Sequence, residues 1–382
     1  MFDRAERIGL LKRAIAHLRS RTTDQAPDTM LVPVEEYLDE DLWRAEIETI
    51  FKRKPQALAV SAELRNGGDY KAMDVYGVPL LMVRGHDGVV RSYLNACRHR
   101  GAQLCEPGLG NRRRFRCPYH AWVYDDHGAL VAVLREETFG DIDHAQFSLR
   151  ALPTVERSGI IWVTLTPDEP MDLDAWLDDF GPVLDELELD KWHLYTTQEF
   201  PGPNWKLCYD GFLEGYHFQT LHKLTFATNT ITNLMVADTF GKHQRVLFGT
   251  KSLPQLLDLP ESEWDPDIAA APIYTIFPNV SIAGTWHDFA MVSQILPGTR
   301  IDESKTVQII LTKHPVESPE QFKMADAYTD MMLRGTRDED YTVAYGAQAS
   351  LGSGANSHLI FGRNELALQH QHTWLNRLVG RA

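Results

Sequence analysis

Cys97-Arg98-His99-Arg100-Gly101, answered further on by Cys117-Pro118-Tyr119-His120-Ala121-Trp122, decides how the first half of this chain is read. The pattern is Cys-x-His, 17 intervening residues, then Cys-x-x-His. Two thiols and two imidazoles can close a tetrahedral zinc site. Zinc fingers usually pair Cys with Cys and His with His, whereas here each arm supplies one of each. Mixed arms suit a two-iron cluster, in which thiolates hold one iron and imidazoles the other. Cys97, His99, Cys117 and His120 are therefore a metal ligand set, with structural zinc as the competing occupant.

At 382 residues the chain is long enough for two domains, each with its own core. Its composition, 43% hydrophobic and 24% charged, is that of a globular protein without low-complexity segments or repeats. A net charge of −15 argues against nonspecific nucleic-acid binding and against anionic membranes. The opening residues Met1 to Arg7 hold no apolar signal core, and no apolar run approaches a membrane span. Four cysteines are too few for a disulfide framework, and two already belong to the arms. Cys105 and Cys208 read as ordinary thiols. These features predict a cytoplasmic protein with neither nucleic-acid nor membrane partners.

Outward from the arms, residues 58–165 alternate short apolar runs with turns such as Gly67-Gly68-Asp69, Asp87-Gly88 and His127-Gly128, an all-β pattern. Val78–Val83, Val89–Leu94 and Ile160–Leu165 are its clearest strands. Before it lie two amphipathic helices, over 6–20 and from Asp41 to Phe51. Thr166 to Pro170 marks a junction. Beyond it a helix over Leu173–Leu187, a strand at Tyr195–Phe200 and a helix over Trp205–Leu221 are expected. Further strands are expected at Arg245–Thr250, Tyr274–Phe277, Val280–Ala283, Ala290–Leu296 and Thr306–Thr312, then helices over 319–345 and 364–379. That order is an α+β layout, with an antiparallel sheet wrapping a long helix. The expected divisions are 1–39 (N-terminal helical segment), 40–165 (cluster domain) and 166–382 (catalytic domain).

The second informative stretch is Trp205-Lys206-Leu207-Cys208-Tyr209-Asp210-Gly211-Phe212-Leu213-Glu214-Gly215-Tyr216-His217, followed by His222. Two histidines and a carboxylate can form a facial triad that leaves coordination positions open. His217 and His222, five apart, would point about 140° apart on a regular α-helix. The helix must therefore end or widen into a π-type turn between them. Asp210, Glu214 and His217 have i, i+4, i+7 spacing and should line one face; Asp210 and Glu214 are carried as candidate catalytic residues on the resemblance given below. The third ligand must come from far along the chain, and Asp338-Glu339-Asp340 is the candidate segment. His370 and His372, neighbours in a helix that diverge, read as surface or packing residues.

Around the arms stand Arg100-Gly101, Pro118-Tyr119, Trp122, Tyr124-Asp125 and Gly128; around the second site stand Trp205-Lys206, Glu214 and Tyr216-His217 with His222. Later come Gly241-Lys242-His243-Gln244-Arg245, Ile276-Phe277-Pro278-Asn279 and Phe361-Gly362-Arg363-Asn364-Glu365. On these residues, and over nearly its full length, the chain resembles the Rieske [2Fe-2S] ring-hydroxylating oxygenases. Ala121 departs from the family's usual Gly and should alter loop packing only. The resemblance implies an all-β Rieske domain, then a helix-grip catalytic domain onto which the N-terminal helices pack. It implies one [2Fe-2S] cluster on Cys97, His99, Cys117 and His120 and one mononuclear Fe(II) on His217, His222 and Asp340. Asp340 is preferred to Asp338 because it follows a Glu and precedes Gln348 by eight positions and Leu351 by eleven, as in the family. The family also implies a homo-oligomer, typically a trimer, in which Glu214 bridges His120 of one copy to His217 or His222 of the next.

Such a pair of centres implies O2 activation and hydroxylation or oxidative demethylation of an organic substrate. No Gly-x-Gly-x-x-Gly follows a strand and no four-Cys ferredoxin motif occurs, so NAD(P)H electrons would arrive through a separate reductase and a possible ferredoxin. Arg98, Arg100, Arg112, Arg113, Arg114 and Arg116 crowd the arms as a candidate donor-docking patch. Leu247-Phe248, Leu253, Leu256-Leu257 and Leu259 are expected as either core or a lid, the latter implying an apolar aromatic or alicyclic substrate. Two other classes compete: a Rieske electron-transfer protein, for which 40–165 would suffice, and a helix-grip ligand-binding module with structural zinc.

Overall fold

The computed structural model describes residues 4–381. They divide into two compact units: residues through Glu46, Leu177–Leu187 and Trp192 onward form the larger, and Ile47–Trp176 with Glu188–Lys191 the smaller. Residues 40–46 thus group with the larger unit, and 166–176 with the smaller, in contrast to the divisions expected at 39/40 and 165/166.

The strands of the smaller unit all pair antiparallel. Its main sheet has five strands in the order Ala151–Leu152, Val90–Leu94, Val78–Arg84, Asp69–Val75, Gly108–Asn111. A three-stranded sheet joins Thr154–Arg157, Ile160–Val163 and Gln56–Val60, and another joins Arg114–Arg116, Val123–Asp125 and Leu130–Ala132. Alternation along these strands sends Tyr70, Leu81, Val83, Phe115 and Tyr124 into one core. The cluster arms are the loops that leave this core: one follows Val90–Leu94, and the other is the turn between Arg114–Arg116 and Val123–Asp125.

The larger unit is built on a seven-stranded antiparallel sheet in the order His193–Gly202, Ser304–Thr312, Phe289–Pro297, Val280–Ala283, Ala270–Ile276, His243–Thr250, Thr230–Phe240. Together with its helices this is the expected α+β architecture. Thr230–Phe240 was not foreseen from the sequence. It is an edge strand, half polar, whose register shifts between Thr230 and Met235 beside Asn233, a residue at φ 56. Pairing on one side only relaxes the apolar alternation by which strands are recognised.

The helix Arg4–Ser20 buries Ile8, Leu11 and Ile15 against Leu234, Leu247, Leu253 and Leu256. Burial of each such side chain is worth roughly 1.5–3 kcal/mol. Leu247, Leu253 and Leu256 are therefore core, and the lid expectation for them is overturned. Pro319–Leu333, opened by a capping box between Ser318 and Gln321, runs on through a π-helical stretch, Arg334–Asp340, into Tyr341–Leu351. Its inner face places Tyr328, Met331 and Met332 against Met291 and Ile310 of the sheet.

Candidate metal centres

The two arms of the smaller unit repeat one turn. Cys97 N–H donates to Ala102 O (2.8 Å) and Gly101 N–H to Cys97 O (2.8 Å); in the second arm Cys117 N–H donates to Trp122 O (2.7 Å) and Ala121 N–H to Cys117 O (3.0 Å). Both turns need a left-handed residue at the fourth position after Cys, Gly101 at φ 78 and Ala121 at φ 57. Ala121 thus does more than alter loop packing: it places a Cβ in the conformation that glycine adopts at no cost. Tyr124 OH accepts Arg98 N–H at 2.9 Å and lies 3.3 Å from Cys97 Sγ. Burial pushes the Cys97 thiol up, the Tyr124 hydroxyl pulls it down, and the neighbouring Cys117 thiol pushes it up again.

The imidazoles of His99 and His120 lie with centroids 4.7 Å apart, and His99 stacks on Trp122 at 5.0 Å. The Nδ1 atoms of both rings are buried and make no hydrogen bond among the described residues. Two adjacent buried thiols and two buried ring nitrogens without partners form a donor set that fits a two-iron cluster.

In the larger unit the expected continuous helix over Trp205–Leu221 is broken. Asn204 caps Trp205–Asp210 by accepting Lys206 N–H at 2.8 Å. A 3₁₀ turn, Gly211–Leu213, follows, and Glu214 is fully extended at φ −145, ψ 162. One helical turn, Phe218–Leu221, then separates His217 from His222, which stands outside it at φ −90, ψ 37. The break before His217 and the unwinding at His222 let both Nε2 atoms converge at 3.0 Å, with no π-turn between them. The π-helical stretch is instead Arg334–Asp340, which carries the carboxylate. Asp340 Oδ1 lies 3.0 Å from His222 Nε2 and 3.5 Å from His217 Nε2. The three donor atoms fall within 4.8 Å of one another, an arrangement that fits a mononuclear ion. Asp338 is on the surface, paired with Arg337.

Each imidazole is held from behind. Glu214 Oε1 contacts His217 Nδ1, and its other oxygen accepts the N–H groups of Tyr216 and His217. Glu339 Oε2 lies 2.6 Å from His222 Nδ1 and accepts the Thr225 hydroxyl at 2.5 Å. A carboxylate on Nδ1 fixes the tautomer and leaves Nε2 for a metal. Glu339 was missed from the sequence, where it read as one member of an acidic run; its signal was adjacency to Asp340, since neighbouring helical residues can flank His222 on both sides. Gly335 makes room for this, because a Cβ there would stand 2.5 Å from the Phe226 ring that packs on His222. Gln348, on Tyr341–Leu351, ties the helix that follows Asp340 to the cap of Trp205–Asp210: its Oε1 accepts Asn204 N–H at 2.6 Å.

Asp210 does not share a face with Glu214 and His217, because the chain unwinds after it. It accepts the Tyr37 hydroxyl at 2.7 Å and lies 3.1 Å from His372 Nε2. His372 Nδ1 lies 3.0 Å from Glu36, so this imidazole is fully buried between two carboxylates rather than at the surface. Burial alone would lower its pKa, but Asp210 and Glu36 raise it to about 9. Lys206 is buried against Glu46 at 2.6 Å.

The triad opens on a cavity of about 230 Å³, lined chiefly by apolar groups, among them Phe212, Phe218, Phe226, Phe248 and Met331.

Residues 189–381 match the ring hydroxylating alpha subunit (catalytic domain) family, and residues 54–146 match the Rieske [2Fe-2S] domain. The chain belongs to the ring hydroxylating alpha subunit family of Rieske non-haem iron oxygenases, whose cofactors are a [2Fe-2S] cluster and a mononuclear iron. It is 34% identical to chlorobenzene dioxygenase subunit alpha of Cupriavidus sp. (strain PS12) over 198 residues, 50% of this chain and 43% of that one. It is 29% identical to the carnitine monooxygenase oxygenase subunit of Escherichia coli (strain K12) over 197 residues, 50% of this chain and 52% of that one. The matched region thus spans about half the length of these curated relatives. In fold it is similar to naphthalene 1,2-dioxygenase from Rhodococcus sp. bound to indole, with a TM-score of 0.72 at 20% identity over 100% of both chains. It is similar too to a quaternary ammonium Rieske monooxygenase in complex with L-carnitine, with a TM-score of 0.77 at 20% identity over 92% of this chain and 96% of that one. Among the described residues no helix is long and apolar enough to cross a membrane.

Proposed function

We propose that this chain is a cytoplasmic terminal oxygenase component that uses O2 and externally supplied electrons to hydroxylate or oxidatively demethylate a largely apolar aromatic or alicyclic molecule. One observation carries the reading: His217, His222 and Asp340 converge at the wall of an apolar cavity. His217, His222 and Asp340 would hold Fe(II), whose remaining coordination positions supply the oxygen chemistry, while a cluster on Cys97, His99, Cys117 and His120 supplies single electrons.

The protein's own residues do the rest. Glu214 and Glu339 orient the two imidazoles, and the phenylalanines around the cavity keep water from the reacting centre. Glu214, half-buried, holds His217 from behind; in a homo-oligomer, with a trimer as our specific reading, it would bridge to His120 of a neighbouring copy and so link the two centres. The exposed arginines Arg112 and Arg113 steer an acidic ferredoxin or reductase, and NAD(P)H acts only through that partner. The names of the relatives span dioxygenation, monooxygenation and N-demethylation, and one triad serves all three.

Metal and sulfide analysis of the purified protein tests this reading directly. The oxygenase requires about three irons and about two acid-labile sulfides per chain, and substrate-dependent O2 uptake with an added electron donor. One zinc and a colourless solution would sink it and favour the ligand-binding module.

A further inference from the structure

The helix Trp205–Asp210 has six residues, too few to hold itself in water, and its last residue leads straight into the site. Gly211 and Phe212, the next two, line the cavity, and Glu214 stands behind His217. One residue of the N-terminal segment braces both ends of that helix. The Tyr37 carbonyl accepts the side-chain N–H of the cap, Asn204, at 3.0 Å, and the Tyr37 hydroxyl donates to Asp210 Oδ2 at 2.7 Å. The ammonium of Lys206, within the helix, lies 5.8 Å from the centroid of the Tyr37 ring. Tyr37 is 1% exposed, so water does not compete for these contacts.

The other oxygen of Asp210 is held from the opposite side. Oδ1 lies 3.1 Å from His372 Nε2, and His372 Nδ1 lies 3.0 Å from Glu36, the chain neighbour of Tyr37. Glu36 in turn accepts the Asn376 amide at 3.0 Å. Glu36 and Tyr37 thus grip the Asp210–His372 pair from one short helix, Glu35–Leu38. A buried polar network whose members are all paired specifies one arrangement, and cutting one member releases it. Past Asp210 the chain leaves the helix: Leu213 is fully buried and Glu214 is extended. A shift at Asp210 must therefore be absorbed within Gly211–Glu214, the stretch that carries Phe212 and Glu214.

We propose that Tyr37 is a positioning residue of the mononuclear site: by holding Asp210 against His372 it fixes the stretch Gly211–Glu214, and with it Phe212 in the cavity wall and Glu214 behind His217. Asp210 then acts at one remove, through the chain that follows it. The effect on the metal rests on the triad being the iron site of the proposed oxygenase.

The test uses the purified full chain with its metals, as wild type, Tyr37→Phe, Asp210→Asn and the double variant. Tyr37→Phe keeps the ring and the carbonyl and loses the hydroxyl alone. In that variant amide hydrogen exchange over 211–217 should quicken about tenfold while the strand Phe289–Pro297 exchanges as in the wild type, a contrast that a general loss of stability would not give. Loss of the mononuclear iron on dialysis should quicken about 3- to 30-fold, with cluster absorption unchanged. The double variant should exceed Asp210→Asn by less than about twofold, because both substitutions cut one contact. The proposal is overturned by unchanged exchange over 211–217 in Tyr37→Phe, by faster exchange spread equally over the sheet, by iron loss as slow as in the wild type, or by multiplicative effects in the double variant. If Tyr37→Phe does not fold, Asp210→Asn decides on the same exchange readout. Exchange needs no iron, so the two ideas separate. Local quickening in a protein that carries zinc sinks the oxygenase and keeps the Tyr37 brace. Unchanged exchange in a protein with its irons and O2 uptake sinks the brace alone.

Discussion

The two metal centres are built in opposite ways. In the smaller unit the four candidate ligands come from two copies of one tight turn, each closed by a pair of backbone hydrogen bonds around its own cysteine. In the larger unit the two histidines straddle a single helical turn, and the carboxylate arrives from a π-helical stretch more than a hundred residues on. Short-range turns make the first site a property of local chain geometry. The second depends on side chains reaching between distant elements, Glu339 to His222 and Gln348 to Asn204, with Glu214 holding its near neighbour His217. A site of the first kind should tolerate remote change, and one of the second kind should fail when any tie is cut.

The largest expected effect comes from the triad itself. His217→Ala, His222→Ala or Asp340→Ala should reduce turnover to background while the visible absorption and EPR signal of the cluster persist. Asp338→Ala, which removes only a surface partner of Arg337, should remain active. Reversed behaviour of the two aspartates would move the third ligand to Asp338 and undo the comparison.

Next come the carboxylates behind the histidines. Glu339→Gln should lower iron retention or turnover about 10–100-fold, read from iron content after dialysis, with cluster iron unaffected. Glu214→Gln should keep both metals and the oligomer yet lose turnover on a similar scale. Single-turnover measurements separate the roles, since near-normal cluster oxidation in Glu214→Gln, with substrate and O2 present, would end the bridging idea.

The tie between Asp210, His372 and Glu36 is tested by pH. His372 has its pKa raised from 6.5 to about 9 in the folded chain, so its stabilisation is full below about pH 6.5 and is lost as pH rises through about 9. Urea unfolding of the wild type should show stability falling by roughly 3 kcal/mol across that window. His372→Asn should be less stable at pH 6 and should lack that fall. An equally steep decline in the variant would assign it to other groups.

The smallest effect is in the arms. Ala121 holds a left-handed conformation that costs an L-residue about 1–2 kcal/mol, so Ala121→Gly should stabilise the smaller unit by about 1 kcal/mol. A melt that rises by a few degrees with an unchanged cluster spectrum is the expected result. A lower melting temperature would mean that the Ala121 methyl contributes packing that outweighs the strain.

The sequence by itself determined the architecture and singled out the paired Cys/His arms as the candidate cluster site. Strand alternation, glycine turns and the paired Cys/His spacing are short-range signals, and most of the sheet of the larger unit followed from them. Resemblance in the residues around His217, His222 and Asp340 brought these three together as candidates for one site. Tertiary structure alone decided how they meet. A periodic reading treats Trp205–Leu221 as one helix, because helical spacing carries no mark of the extended residue at Glu214 or of the unwinding at His222. It likewise placed Asp210 beside Glu214, whereas Asp210 is turned toward Tyr37 and His372, residues far away in the chain. Glu339 became a partner of His222 only through the widened π-turn. These placements are set by packing between distant segments, and that energy is not written in the local pattern of any one of them.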